Sequence, residues 1–211
     1  MKLYYLKYAK LIILNTLIIV FLLSLTILLN SSGDFAPAPV ITYSTQNPEE
    51  KHPSEAGYKW SGQKDDPKYI VIPKIKVDTF VQNVGIDQNQ QIAVPNNINI
   101  AGWFVDSVRP GEAGLSIIDG HVNGVSVNDG VFKRLNELVP GDTAQVITGE
   151  GAVVSFIVRS NQEIKTEDSA TVLYSQDPNI KSQLNLITCT GNFNSSTRQY
   201  DKRQITVLEQ Q

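Results

Sequence analysis

The sequence predicts an all-β domain, a closed or nearly closed barrel, carried behind one membrane-spanning helix. Three observations predict it. Short alternating or β-branched runs recur through residues 68–211, separated by turns bearing Gly and Pro. The best helical spacing there is brief, Val131, Leu135 and Leu138. Ahead of this region lies an uncharged apolar stretch, residues 11–29. Many short strands with turn signals and little helix make the pattern of a barrel.

Residues 11–29 (LIILNTLIIVFLLSLTILL) have Asn15, Thr16, Ser24 and Thr26 as their only polar side chains. As a helix they span about 28 Å, close to the bilayer core. Lys2, Lys7 and Lys10 precede them, and the next twenty residues hold no lysine or arginine. The positive-inside rule therefore puts residues 1–10 in the cytoplasm and the remainder of the chain outside. The run is longer than the core of a cleaved signal peptide, and no clear A-x-A site follows. An uncleaved signal anchor in the cell membrane is expected.

Residues 30–67 are rich in Ser, Thr, Asn, Pro and charge, without periodicity, and five of the ten prolines lie there. This composition reads as an extracytoplasmic linker. A sharper alternative is that the segment near Tyr58 and Trp60 packs on the head as an arm or lid. His52, in the same segment, is expected in solvent. The formal charge of the chain is −3, but the part after the anchor carries 15 basic and 21 acidic side chains. Such a balance excludes a general nucleic-acid binder. A single cysteine excludes an internal disulfide and a Cys-rich zinc site.

The head, residues 68–211, is long enough for one good core. Residues 69–73 (YIVIP) and 77–84 are short β runs, and a third, 92–94, ends at Pro95. Residues 115–119 form a strand running into Gly120-His121. Residues 143–148 and 152–159 flank Gly149-Glu150-Gly151, a hairpin turn. Pro110-Gly111 and Pro140-Gly141 mark further turns.

The end of the chain carries the chemistry. Leu184, Leu186 and Thr188 alternate with Asn185, Ile187 and Cys189, the sole cysteine. A polar insert follows, then residues 203–208, with Arg203, Ile205 and Val207 on one side. Two neighbouring strands of this kind bring a thiol and a guanidinium to one mouth. The head has a single imidazole, His121, to exchange a proton with the thiol. Arg203, or failing that Arg198, can supply positive charge to an oxyanion. Asp119 shares a face with His121 and is placed either to orient the ring or to sit in solvent. A lone cysteine is more often a small buried hydrophobe than a nucleophile. What weighs against that here is an unpaired thiol expected in an oxidising exterior.

These residues resemble the sortases, membrane-bound cysteine transpeptidases of Gram-positive cell surfaces. The resemblance rests on LITC with Arg203 fourteen residues on, the upstream Gly-His strand end and the signal anchor. YIVIPKIKVDTFVQNVGID resembles the family's opening strands, and AGWF, PGEAGLSIIDGH and VFKRLNELVPGDTAQVI its central blocks. The GW dipeptide and LITCTGNF resemble classes F or E more than class A.

The resemblance implies an eight-stranded barrel and a Cys-His-Arg site. Cys189 matches the nucleophile, His121 the histidine after glycine, and Arg203 the arginine of the last strand. Thr188 would shape the oxyanion region or contact substrate. The segment between Arg159 and Ser182 would wall the substrate groove, with Ala170, Val172 and Leu173 as apolar contacts. The implied reaction cuts an LPXTG-like signal between Thr and Gly. It then passes the acyl group to an amine of a peptidoglycan precursor or a pilin, without metal or organic cofactor. Asp119 departs from the family, where small residues are frequent.

Rival readings fare worse. A papain-like protease places its Cys before its His, the reverse of the order here. The S-x-G-C-R setting of L,D-transpeptidases is absent around Cys189. A non-enzymatic alternative is a membrane-anchored β-barrel adhesin or assembly factor with an inert, buried Cys189.

Overall fold

The computed structural model describes residues 15–19, 39–53, 57–126 and 128–211. Residues 15–19 are helical, and the rest of the expected membrane span lies outside the described residues. The unit Pro37–Gln211 holds the barrel.

Eight strands close the barrel: β1 (Pro67–Ile72), β2 (Val77–Val84), β3 (Ala101–Phe104), β4 (Gly114–Gly120), β5 (Thr143–Thr148), β6 (Val153–Lys165), β7 (Ser182–Asn194) and β8 (Gln199–Gln210). Their spatial order is β1-β2-β3-β4-β7-β8-β6-β5, with β5 returning to β1. The pairs β2–β3 and β4–β7 are parallel, and the others antiparallel. Closure leaves no free sheet edge, which disposes of the unpaired backbone groups that an open sheet exposes.

Alternation along each strand sorts the side chains to two faces. Ile118, Leu184, Leu186 and Leu208 are fully buried inside the barrel, with Ile70, Val146 and Phe156. Each such side chain contributes about 1.5–3 kcal/mol of transfer free energy. A second apolar cluster lies on the opposite, outer face of the same strands. It joins Phe104 of β3, Ile117 of β4, Ile187 of β7 and Ile205 of β8. Two connections cover it. One supplies Ile86 and Ile92, between β2 and β3, and the other Val172 and Leu173, between β6 and β7.

Three local expectations change. Residues 92–94 form no strand. Ile92 makes one isolated bridge to Ile86, because the Asp87 carboxylate takes the Asn89 and Gln91 amides and curls the chain there. The spacing of Val131, Leu135 and Leu138 yields only a 3-10 turn, Leu135–Glu137, closed off by Pro140. Finally, residues 152–159 are the start of a longer strand, since β6 continues to Lys165 against β8. A 3-10 turn (Thr166–Asp168) and a short helix (Ser169–Leu173) follow.

The described part of the segment read as a linker is packed on the barrel rather than extended free of it. Ile41 bridges to Val84, and Glu49 to Asn97. Tyr58 stacks on Phe80 at 4.5 Å between ring centroids, and the Lys68 ammonium sits 5.8 Å from the Trp60 ring. Tyr58 and Trp60 thus dock as the arm alternative requires, and the contact reaches further back, to Ile41. His52 is exposed.

Candidate active site

Strand register assembles the site. In the parallel β4–β7 pair, Asp119 stands opposite Ile187. Continuing that register by two residues brings His121 level with Cys189. In the antiparallel β7–β8 pair, Cys189 stands opposite Arg203. Three adjacent strands, about 4.8 Å apart, therefore carry imidazole, thiol and guanidinium in one row. All three, with Asp119, follow the outer-face alternation of Ile117, Ile187 and Ile205. Arg198 lies elsewhere, in the β7–β8 turn with a positive φ of 55°, and is not opposite the thiol.

Each side chain has a defined setting. The His121 ring packs half-buried, and its Nε2 lies 2.7 Å from the Pro95 carbonyl oxygen. A carbonyl only accepts, so Nε2 carries the hydrogen and Nδ1 is left for proton exchange. Burial pulls the imidazole pKa down, and the Pro95 bond partly opposes this. Arg203 donates through Nη1 to the Thr166 hydroxyl at 2.9 Å, the Tyr200 carbonyl at 3.1 Å and the Lys202 carbonyl at 2.9 Å. The guanidinium is thereby held in place, with Nε and Nη2 left to meet an anion.

Burial pushes the Cys189 thiol pKa up; Arg203 draws it down, and Asp119 adds to the rise. Both shifts favour the neutral thiol and neutral imidazole over the thiolate–imidazolium form of the coupled pair.

Asp119 is 5% exposed, and its Oδ1 has no hydrogen-bond partner. Burial raises its pKa well above the ordinary carboxyl value. The expected orienting bond to the imidazole is replaced by the Pro95 carbonyl, and the alternative of a solvated acid also fails. Gly102, opposite Asp119 on β3, makes room for the carboxyl, since a Cβ there would stand 2.3 Å from Oδ1.

Thr188 turns to the other face. It is 6% exposed, and its hydroxyl donates to the Gly120 carbonyl at 2.7 Å. It ties the strand before the cysteine to the strand before the histidine, and it also lines the cavity beside the thiol. Of the three expected groove contacts, Leu173 and Val172 pack on the outer apolar cluster, whereas Ala170 is exposed. Strand β7 anchors this covering segment through polar groups that the periodicity did not single out. Asn185 donates to the Leu173 carbonyl at 2.8 Å, and Gln183 to the Ser175 carbonyl at 2.9 Å. Alternation places Asn185 on the cysteine face, but no local pattern says what it holds.

A cavity of about 320 Å³ opens beside the thiol, lined among others by Cys189, Val122, Lys133, Thr190, Tyr200 and Gln204. Another of about 310 Å³ lies at the opposite ends of β4 and β7, by Ser182 and Glu209, away from these groups. The arrangement of a thiol, an imidazole and a fixed guanidinium beside an apolar floor fits acyl transfer from an extended peptide.

The family model described as Sortase domain matches residues 70–211. Among solved structures, the chain is similar to a lid mutant of sortase A from Corynebacterium diphtheriae, with 20% identity over 71% of this chain and 72% of that one and a TM-score of 0.53. It is similar to sortase C-1 from Actinomyces oris, with 24% identity over 71% and 77% of the two chains and a TM-score of 0.51. It is also similar to a Clostridium perfringens sortase D5 transpeptidase, with 24% identity over 70% and 79% and a TM-score of 0.50. No curated protein matches the chain.

Proposed function

Because the chain belongs to the sortase family, we propose that it is a membrane-anchored cysteine transpeptidase acting on an LPXTG-like sorting signal. The observation that carries the reading is the row of His121, Cys189 and Arg203 across β4, β7 and β8, on the same face as an apolar cluster. The family supplies the reaction class, and the row supplies the roles.

The signal lies extended on the outer cluster, against Ile187, Val172 and Leu173. The Cys189 thiol passes its proton to His121 Nδ1, and the thiolate attacks the Thr carbonyl of the signal. Arg203 and a backbone N–H hold the tetrahedral oxyanion. His121 then protonates the departing Gly amine, leaving a thioester on Cys189. An amine of a peptidoglycan precursor or a pilin attacks the thioester and takes the acyl group. Residues 11–29 act as the signal anchor, and the catalytic domain faces the cell wall.

The test uses the full-length protein in detergent with a quenched LPATG peptide and an amine. Intact mass should show an adduct on Cys189, and product should carry the amine. Both disappear in Cys189→Ala. The opposing reading, an inert barrel with a buried thiol, is favoured by the upward shift of the Cys189 pKa. It predicts no adduct on a panel of motif variants and a Cys189 that resists alkylation in the folded state.

A further inference from the structure

We infer that the arm formed by residues 41–51 is a positioning element for His121, and that Glu50 is its main fastening; as a role in catalysis, this rests on the sortase reading above. The arm's sequence has no strand periodicity and contains Pro48, yet its backbone is used at both ends. The Ile41 amide donates to the Asn83 carbonyl at 3.0 Å, and the Gly85 amide to the Ile41 carbonyl at 2.8 Å. The Glu49 amide donates to the Asn96 carbonyl at 2.8 Å, and the Ile98 amide to the Glu49 carbonyl at 2.9 Å. Between these points the Ser44 hydroxyl donates to Asp87 at 2.9 Å and accepts from the Val94 amide at 3.4 Å.

These contacts bracket Pro95. Its ring removes the amide that would otherwise help fix it. The direction of its carbonyl is set by the Pro95–Asn96 peptide, whose amide donates to Gln82 Oε1 at 3.2 Å, and on either side the Val94 amide and the Asn96 carbonyl are bonded to the arm. That carbonyl is the partner of His121 Nε2.

Glu50 reaches the histidine from the other side. Its carboxylate accepts the Ser126 amide at 2.8 Å and Asn128 Nδ2 at 2.7 Å. Its own carbonyl accepts Asn99 Nδ2 at 3.1 Å. The Ser126 amide is the chief cause of a carboxyl pKa below the ordinary range. Ser126 and Asn128 belong to the loop that begins at His121 and folds back on it. The Gly130 amide meets the Val122 carbonyl, and the Phe132 amide the His121 carbonyl, each at 3.0 Å. At Gly124 the arm comes close, since a Cβ there would stand 2.5 Å from the Glu50 carboxyl carbon. One side chain thus pins the loop after the histidine, while its neighbours in the arm bond the chain on both sides of the peptide whose carbonyl holds the imidazole.

The experiment compares full-length wild type, Glu50→Ala, Glu50→Gln, Gly124→Ala and Gln46→Ala in detergent. Steady-state transfer is read beside the rate of His121 modification by diethyl pyrocarbonate, mapped by mass. In Glu50→Ala we expect kcat to fall about tenfold with KM little changed, and His121 labelling to quicken several-fold. Glu50→Gln keeps an acceptor for Ser126 and should fall between. Gly124→Ala should reproduce the loss. Combined with Glu50→Ala it should add little, because both break one contact. Gln46→Ala, an exposed arm residue, should match wild type. Unchanged labelling of His121 in both Glu50→Ala and Gly124→Ala overturns the inference, whatever the activity. Faster labelling in an enzyme that transfers nothing upholds the arm's hold on the ring and counts against the sortase reading instead.

Discussion

The four strands β3, β4, β7 and β8 have two apolar faces, and they differ in kind. The inner face is sealed. Trp103, Ile118, Leu184, Leu186 and Leu208 fill it at 4% exposure or less. The outer face has an apolar floor of Ile117, Ile187 and Ile205, but it also carries Asp119, His121, Cys189 and Arg203. The inner face obtains its stability from dense packing. The outer face gives some of that up, holding a carboxyl oxygen with no partner and a half-buried thiol. A strand with period two can serve both ends at once, because each residue belongs to one face only.

The largest test of this division is Cys189→Ala. It should reduce transfer by more than about 10³-fold and leave the melting temperature near that of wild type. A large loss of stability would mean that the thiol is part of the packing instead. Arg203→Ala comes next, with kcat lowered about 10²–10³-fold and KM largely kept. Equal loss of peptide binding would take the arginine out of the oxyanion role.

A paired substitution across β7 sharpens the contrast. Leu186→Ala should cost about 2–5 kcal/mol of stability. Ile187→Ala, its half-buried neighbour on the outer face, should cost about 1 kcal/mol and show itself mainly as a higher KM. Similar stability losses at both positions would erase the distinction between the faces.

The smallest effect concerns Asp119. Burial raises its folded pKa above the unfolded value. Its neutral form therefore favours folding at low pH, and that contribution is lost as pH rises above the ordinary carboxyl range. Asp119→Asn should melt higher than wild type near pH 8 and equally near pH 3. In wild type, kcat/KM should follow a bell. Its acid limb should lie below the ordinary imidazole value and its alkaline limb above the ordinary thiol value, as the His121 and Cys189 shifts require. Since the Asp119 charge raises the thiol, Asp119→Asn should move the alkaline limb down. An unmoved limb would show that the carboxyl stays protonated throughout.

The barrel was legible because alternation survives in strands with one wet or loop-covered face. Residues 77–84 and 143–148 appear as strands with the bounds expected. The meeting of Cys189 with His121 and Arg203 was half legible. Periodicity put each residue at a strand end, whereas β7 runs on to Asn194 and β8 starts at Gln199, and the parallel β4–β7 pairing that brings them level is a tertiary fact. The arm was misread as linker for a related reason. Its order comes from backbone bonds at Ile41 and Glu49 and from single polar side chains such as Ser44 and Glu50, none of which leaves a periodic mark in the sequence. Pro95 likewise looked like a strand terminator, whereas its carbonyl holds the imidazole.

The pairing of β4 with β7 also governs when reactivity can arise. The hydroxyl that joins the two strands links residues 68 positions apart, and β7 lies between β4 and β8 in the closed sheet. Contacts of such range form late, after the entropy of a long loop has been overcome. A nascent or partly unfolded chain thus carries a thiol far from its proton acceptor, although the cation lies only across the β7–β8 hairpin. The pairing of thiol with imidazole therefore waits until β7 is seated against β4.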